Sequence, residues 1–190
     1  MDFTKEQKDA AYKAAEKNDI KGVPTAIFGE DQEKDVRPVT ERVKTFEDAV
    51  KELGESHPYV NIYDTIVNEY PAAGKDVMAY LRLRIITAAL NERWEYRITE
   101  NMERWCPYFC PFCVGYIAAY ERKGEVMRKV GYETDDESAF GGIVYVGYDY
   151  IPVMMSMGPG GCIFPFRTSE LAEYAGKQFI EEYYQLYVGL

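Results

Sequence analysis

Histidine is almost absent from this chain, which has one, His57, among 190 residues, together with two tryptophans and four cysteines. That scarcity excludes metal sites built from several histidines. It also makes any hydrolytic triad depend on a residue that sits directly before Pro58. Positive charge is scarce as well. Lys and Arg number 22 against 32 Asp and Glu, a net charge of -10. No Lys/Arg stripe offers the electrostatic footprint that a phosphate backbone requires, so direct nucleic-acid binding is not expected. The same acidity is too dilute for DNA mimicry, since much of it falls on solvated helix faces. Glycine-lysine pairs occur at Gly74-Lys75 and Gly176-Lys177, but neither has the upstream glycine or the following Ser/Thr of a phosphate loop. No internal repeat or low-complexity tract is present. The longest candidate helix, residues 76 to 90, carries Arg82 and Arg84 and so does not read as a membrane span. Residues 1 to 7 lack the apolar stretch of a signal peptide. The expectation is a cytoplasmic protein whose cysteines are thiols or metal ligands rather than disulfides.

What is abundant is aromatic surface. Seventeen Tyr and nine Phe make up most of a 15% aromatic fraction, and twelve of those Tyr and six of the Phe fall within residues 94 to 190. The composition therefore changes half-way, and an α+β protein follows: a helical N-terminal half, then a small antiparallel sheet with a C-terminal helix packed on it. Residues 1 to 42 read as a helical arm and linker, with a helix over 4 to 18 and a short apolar run at Ala26-Ile27-Phe28. Residues 43 to 190 read as the main domain.

Within that domain, Thr45 caps a helix whose Phe46, Ala49, Val50 and Leu53 recur at helical spacing before Gly54. His57-Pro58 breaks the chain, and a short helix carrying Ile62 and Ile66 closes at Tyr70-Pro71. Asp76 is the expected cap of a longer, largely buried helix to Leu90, with Val77, Leu81, Ile85 and Ala88 along its stripe and Tyr80, Leu83 and Ile86 widening it. Gly142 to Tyr150 is the best strand, with weaker ones at Tyr116 to Tyr120 and Ile163 to Phe166. Thr168 or Ser169 caps a final helix in which Leu171, Ala175, Phe179 and Tyr183 repeat every four residues.

Three stretches carry a resemblance: Val43 to Ala49, Tyr80 to Glu92, and Phe166 to Ile180. Together they resemble a family of uncharacterised proteins of gut Bacteroides-group bacteria and of their phages and mobile elements, over most of residues 43 to 187. The resemblance implies no activity. It implies a cytoplasmic or virion-associated context and a central aromatic segment beginning near Trp105.

The sharpest chemical signal is Trp105-Cys106-Pro107-Tyr108-Phe109-Cys110-Pro111-Phe112-Cys113. Its CxxxCxxC spacing resembles the cluster motif of radical S-adenosylmethionine enzymes, where three thiolates hold three irons of a four-iron cluster. The context argues otherwise, because helices precede the motif, 77 residues follow Cys113, and Gly141-Gly142 is followed by Ile143 rather than a glutamate. A second reading adds Cys162, presented by the turn Gly158-Pro159-Gly160-Gly161, to make a four-thiolate zinc or iron–sulfur site. A third treats all four as small buried hydrophobes, in which case no cofactor is expected. Asp135-Asp136-Glu137 lacks the alternate spacing of a calcium loop and reads as an acidic turn. His57 reads as an exposed turn residue. Finally, Tyr145, Tyr148, Tyr150, Met154, Met155 and Met157 lie near glycine-rich turns, and both residue types favour adaptable recognition surfaces; an ordinary strand filling the core explains them equally well. The expected function is non-enzymatic binding of a protein partner through this aromatic segment, phage-related in context. Metal binding by Cys106, Cys110, Cys113 and Cys162 is the alternative.

Overall fold

The structure, a computed structural model, describes Ala10 and residues 37–95, 104–131, 133–150 and 163–189. The helix expected over residues 4 to 18 and the run Ala26-Ile27-Phe28 lie outside the described residues. The chain divides into two compact units, Met1–Arg37 and Pro38–Leu190. The second unit has the expected α+β architecture: helices first, then a three-stranded antiparallel sheet with C-terminal helices packed on it. Its helical part comprises α1 (Val39–Arg42), α2 (Phe46–Leu53), α3 (Pro58–Glu69) and α4 (Lys75–Leu90). The remainder runs β1 (Trp105–Cys113), α5 (Ile117–Lys123), β2 (Met127–Lys129), β3 (Phe140–Tyr150), α6 (Ser169–Gln178) and α7 (Ile180–Val188).

Local chemistry sets the helix ends. The Thr45 hydroxyl accepts the Asp48 backbone N–H at 3.1 Å, while the Asp48 carboxylate accepts the backbone N–H groups of Lys44 and Thr45 at 3.0 Å each. These bonds, that from Lys44 first, hold the exposed Asp48 carboxyl below its usual range. Gly54 ends α2 at φ +85°, where only glycine is unstrained. Pro58 opens α3 at its first position, where its missing N–H costs nothing.

The burial of α4 matches the expected broad stripe at Leu83, Ile85 and Ile86 but not at its start, where Gly74 rather than Asp76 is the N-cap. Leu83, Ile85, Ile86, Ala89 and Leu90 are fully buried, whereas Val77 is 43% exposed. Apolar residues occur on every side of this helix, so spacing alone does not choose the face. Two arginines are accommodated at its flanks. Arg82 lies 4.0 Å over the Phe46 ring and pairs with Glu182 at 3.0 Å. Arg84 reaches the Tyr59 hydroxyl at 3.2 Å. Beyond the helix end, Asn91 is 2% exposed and uses both ends of its amide, donating to the Pro165 carbonyl at 2.8 Å and accepting from the Arg167 N–H at 3.1 Å.

The sheet order is β1-β3-β2, with both pairings antiparallel. The cysteine segment, read from sequence as a metal loop or as packed core, is therefore the strand β1. It tolerates Pro107 and Pro111 because it lies at the edge, where a missing ladder donor can face away from its neighbour. The register places Cys110 opposite Val144 and Phe109 opposite Tyr145, with irregularities at Tyr108/Phe109 and Phe112/Cys113. Gly142, at φ +142°, admits the β2 backbone: a Cβ there would stand 2.1 Å from the Arg128 carbonyl oxygen. The weaker strands fare differently. Tyr116 to Tyr120 is a 3₁₀ turn (Val114–Tyr116) leading into α5, and Ile163 to Phe166 contributes only the bridge Trp105 to Phe166.

The C-terminal stripe is buried as expected, although the helix breaks at Phe179 (φ -112°, ψ 31°) into α6 and α7. Phe166, Leu171, Ala172, Ala175 and Phe179 join the core of α1, α2 and α4. Tyr183 and Tyr184 join Leu83, Ile143 and Phe164 in a second cluster. The Tyr183 ring packs on Phe109 at 4.7 Å between centroids, but its buried hydroxyl has no hydrogen-bond partner among the described residues. Burial pushes that phenol well above its usual range. Tyr183→Phe is accordingly expected to be neutral or to stabilise by about 1 kcal/mol, measured as the urea midpoint, because it removes a desolvated group that forms no bond.

Candidate functional site

Extended chain rises about 3.3 Å per residue, so β1 separates Cys110 from Cys113 by about 10 Å and from Cys106 by about 13 Å. Thiolates sharing one metal must instead lie within about 2.3 Å of it. The strand therefore disperses these three cysteines along its length. No group of three metal-ligating side chains occurs among the described residues. Cys110 and Cys113 are free and half-buried. Cys106, by contrast, is disulfide-bonded and 8% exposed, its sulfur 3.7 Å from the Phe164 carbonyl oxygen. The expectation of reduced thiols does not hold at this position, since a disulfide is decided by which sulfurs the fold brings together and not by spacing along the chain. Cys162 lies outside the described residues.

The proposed recognition residues also separate. Tyr145 is 7% exposed, faces α6, and has its phenol pushed up to about 12 by burial, with Glu173 and Tyr148 adding to the shift. Tyr148 is 42% exposed, edge-on to Trp105 at 5.6 Å. Val146 and Tyr108, neither singled out from sequence with them, are each 58% exposed. β2 pairs with β3 only over Gly142 to Val144, so the ribbon end holding Tyr108, Val146 and Tyr148 extends past it. The side chain of Tyr150, and Met154, Met155 and Met157, lie outside the described residues. Asp136 accepts the Ser138 N–H at 2.9 Å and its hydroxyl at 2.6 Å, the geometry of an acidic turn.

A feature missed from sequence is a cleft of about 460 Å³ beside α4. Arg84, Thr87, Ala88 and Asn91 form one wall, their spacing of three, four and seven residues placing them on one helix face. His57 and Tyr59, at the start of α3, face them. Arg93, Trp94, Glu95, Arg104, Ile163 and Pro165 complete the described lining. The signal in the sequence was the polar i, i+3, i+7 series of Arg84, Thr87 and Asn91 within the otherwise apolar stretch from Leu83.

His57 is half-buried here rather than an exposed turn residue: its Nδ1 accepts the Tyr59 N–H at 3.2 Å, which assigns the neutral ring's proton to Nε2. Burial first, then the nearby Arg93, lowers its pKa below 6.5, opposed by Glu95. The unfolded chain therefore takes up a proton at His57 before the folded one does. Stability from this group is complete above about pH 6.5 and is lost as pH falls below it. The melting temperature should fall more between pH 7.5 and 5 in the wild type than in His57→Asn, which keeps a capping acceptor without the titration.

No family model, curated protein or solved structure matches this chain. Among the described residues, no helix is long and apolar enough to cross a membrane.

Proposed function

We propose that this chain is a non-enzymatic binding or accessory protein, of the phage or mobile-element kind its resemblance implies, that meets a protein partner through the aromatic end of the β1–β3 ribbon. The observation that carries this reading is the exposure of Tyr108, Val146 and Tyr148, at 58, 58 and 42%, on one end of the antiparallel β1–β3 pair. Apolar and tyrosyl surface on a fixed backbone is what interface cores are made of. The chain's net charge of -10 selects a basic partner, whose Lys and Arg can also sit over exposed tyrosine faces. The test is a pairwise comparison on a matrix in cytoplasmic extract. Wild type should retain a basic protein in a salt-sensitive manner. The triple variant Tyr108→Ser, Val146→Ser, Tyr148→Ser should fold normally and lose it. Equal retention by both forms would sink the proposal.

A further inference from the structure

We propose that the cleft between α3 and α4 binds a small phosphomonoester, its phosphoryl group held by Arg84 and Arg93 with the Thr87 hydroxyl beneath it. This does not depend on the ribbon surface. Three observations point to it. First, ion pairs among the described residues engage Arg42, Arg82, Arg128, Lys129, Arg167 and Lys177. Arg84 and Arg93 make none among the described residues, although acidic residues outnumber basic ones by 32 to 22 and Glu95 lines the same cleft. Unneutralised guanidiniums facing one cavity in an acidic protein attract an anion from solution.

Second, both guanidiniums are fixed before any ligand arrives. Arg84 lies 5.0 Å over the Tyr59 ring and donates to its hydroxyl at 3.2 Å, while Arg93 donates to the Leu53 carbonyl at 3.1 Å. Each engages one nitrogen in these bonds and keeps other donors of its planar fork, the geometry that matches phosphate oxygens. Preorganisation of this sort spares the entropy of ordering two long side chains on binding.

Third, Thr87 is 8% exposed, lines the cleft, and its hydroxyl has no hydrogen-bond partner. A buried unsatisfied hydroxyl is destabilising, and a ligand oxygen that accepts its hydrogen bond would offset that. The His57 Nε2–H is a further donor in the lining.

Phosphomonoester fits better than carboxylate because two guanidiniums match a group carrying about -1.5 to -2 charges at neutral pH. A volume of about 460 Å³ exceeds the phosphoryl group alone, and Trp94, Ile163 and Pro165 offer apolar surface to the rest of the molecule.

Calorimetric titration of the full chain with phenyl phosphate, inorganic phosphate and benzoate tests this. Phenyl phosphate should bind one-to-one and more tightly than either control. Arg84→Gln and Arg93→Gln should each weaken it about tenfold or more, as loss of a charged partner does. Thr87→Val, which keeps shape and charge, should weaken it about three- to tenfold. Since Arg93 also ties the end of α4 to α2, Arg84→Lys provides a second probe that keeps charge but loses the fork; it too should bind less tightly. Absence of saturable binding by folded wild type, equal affinity in Arg84→Gln and Thr87→Val, or benzoate or inorganic phosphate binding as tightly as phenyl phosphate would overturn the assignment.

Discussion

Alanine in place of Gly176 is expected to destabilise the protein, and leucine to do so by about 3 kcal/mol or more. Helix propensity alone predicts the opposite sign, since Gly to Ala within a helix normally gains about 1 kcal/mol. At this position, however, a Cβ would stand 2.5 Å from the Tyr145 ring and 2.7 Å from the Pro107 Cβ. Neither neighbour can retreat cheaply. Tyr145 is buried within β3, and Pro107 belongs to the strand paired with it. Gly176 thus sets the distance at which α6 rests on the sheet. Denaturant unfolding of Gly176→Ala gives the sign directly. A stabilised variant would contradict so close an approach of helix and sheet.

Phe166→Ala should be the most damaging truncation in the core, at about 3 to 5 kcal/mol. Phe166 is fully buried in the principal core cluster, and its backbone exchanges two hydrogen bonds with Trp105, at 2.8 and 3.0 Å. Its ring therefore lies where the helical half, the edge strand and α6 meet. The cavity left by truncation would be lined from several elements and could not collapse by moving one of them. Since a domain of this size has about 5 to 15 kcal/mol of stability, the variant should unfold at a much lower urea midpoint. A loss below about 1 kcal/mol would contradict the placement of Phe166 at that junction.

The sequence was most legible where a structure is decided within a few residues. The Thr45 cap, the break at His57-Pro58, and the stripe of Leu171, Ala175, Phe179 and Tyr183 all depend on local hydrogen bonds or on one helix face. It was least legible where distant chain decides. In α4 the buried face is chosen by α2, α3 and α7, so Leu83 is buried and Val77 exposed although both are apolar. β1 was hidden by two prolines and three cysteines, a composition that suits a strand only at an edge. Tyr116 to Tyr120 has strand-like composition, yet the 3₁₀ turn and α5, ended by Gly124 at φ +68°, take up that segment. The cleft was visible in part: Arg84, Thr87 and Asn91 share a helical spacing, but Arg93 and His57 reach the same cavity only through the packing of α3 on α4.

Whether the cysteine segment is a strand or a metal centre divides the two functional readings, and site-resolved thiol labelling with elemental analysis on protein purified without oxygen tests it most directly. The account predicts that Cys110 and Cys113 react with a maleimide in the native protein, Cys106 only after reduction, and that no metal is present in stoichiometric amount. Stoichiometric zinc or iron, with Cys106, Cys110 and Cys113 all protected until the metal is chelated, would contradict it and make this a metal-binding protein.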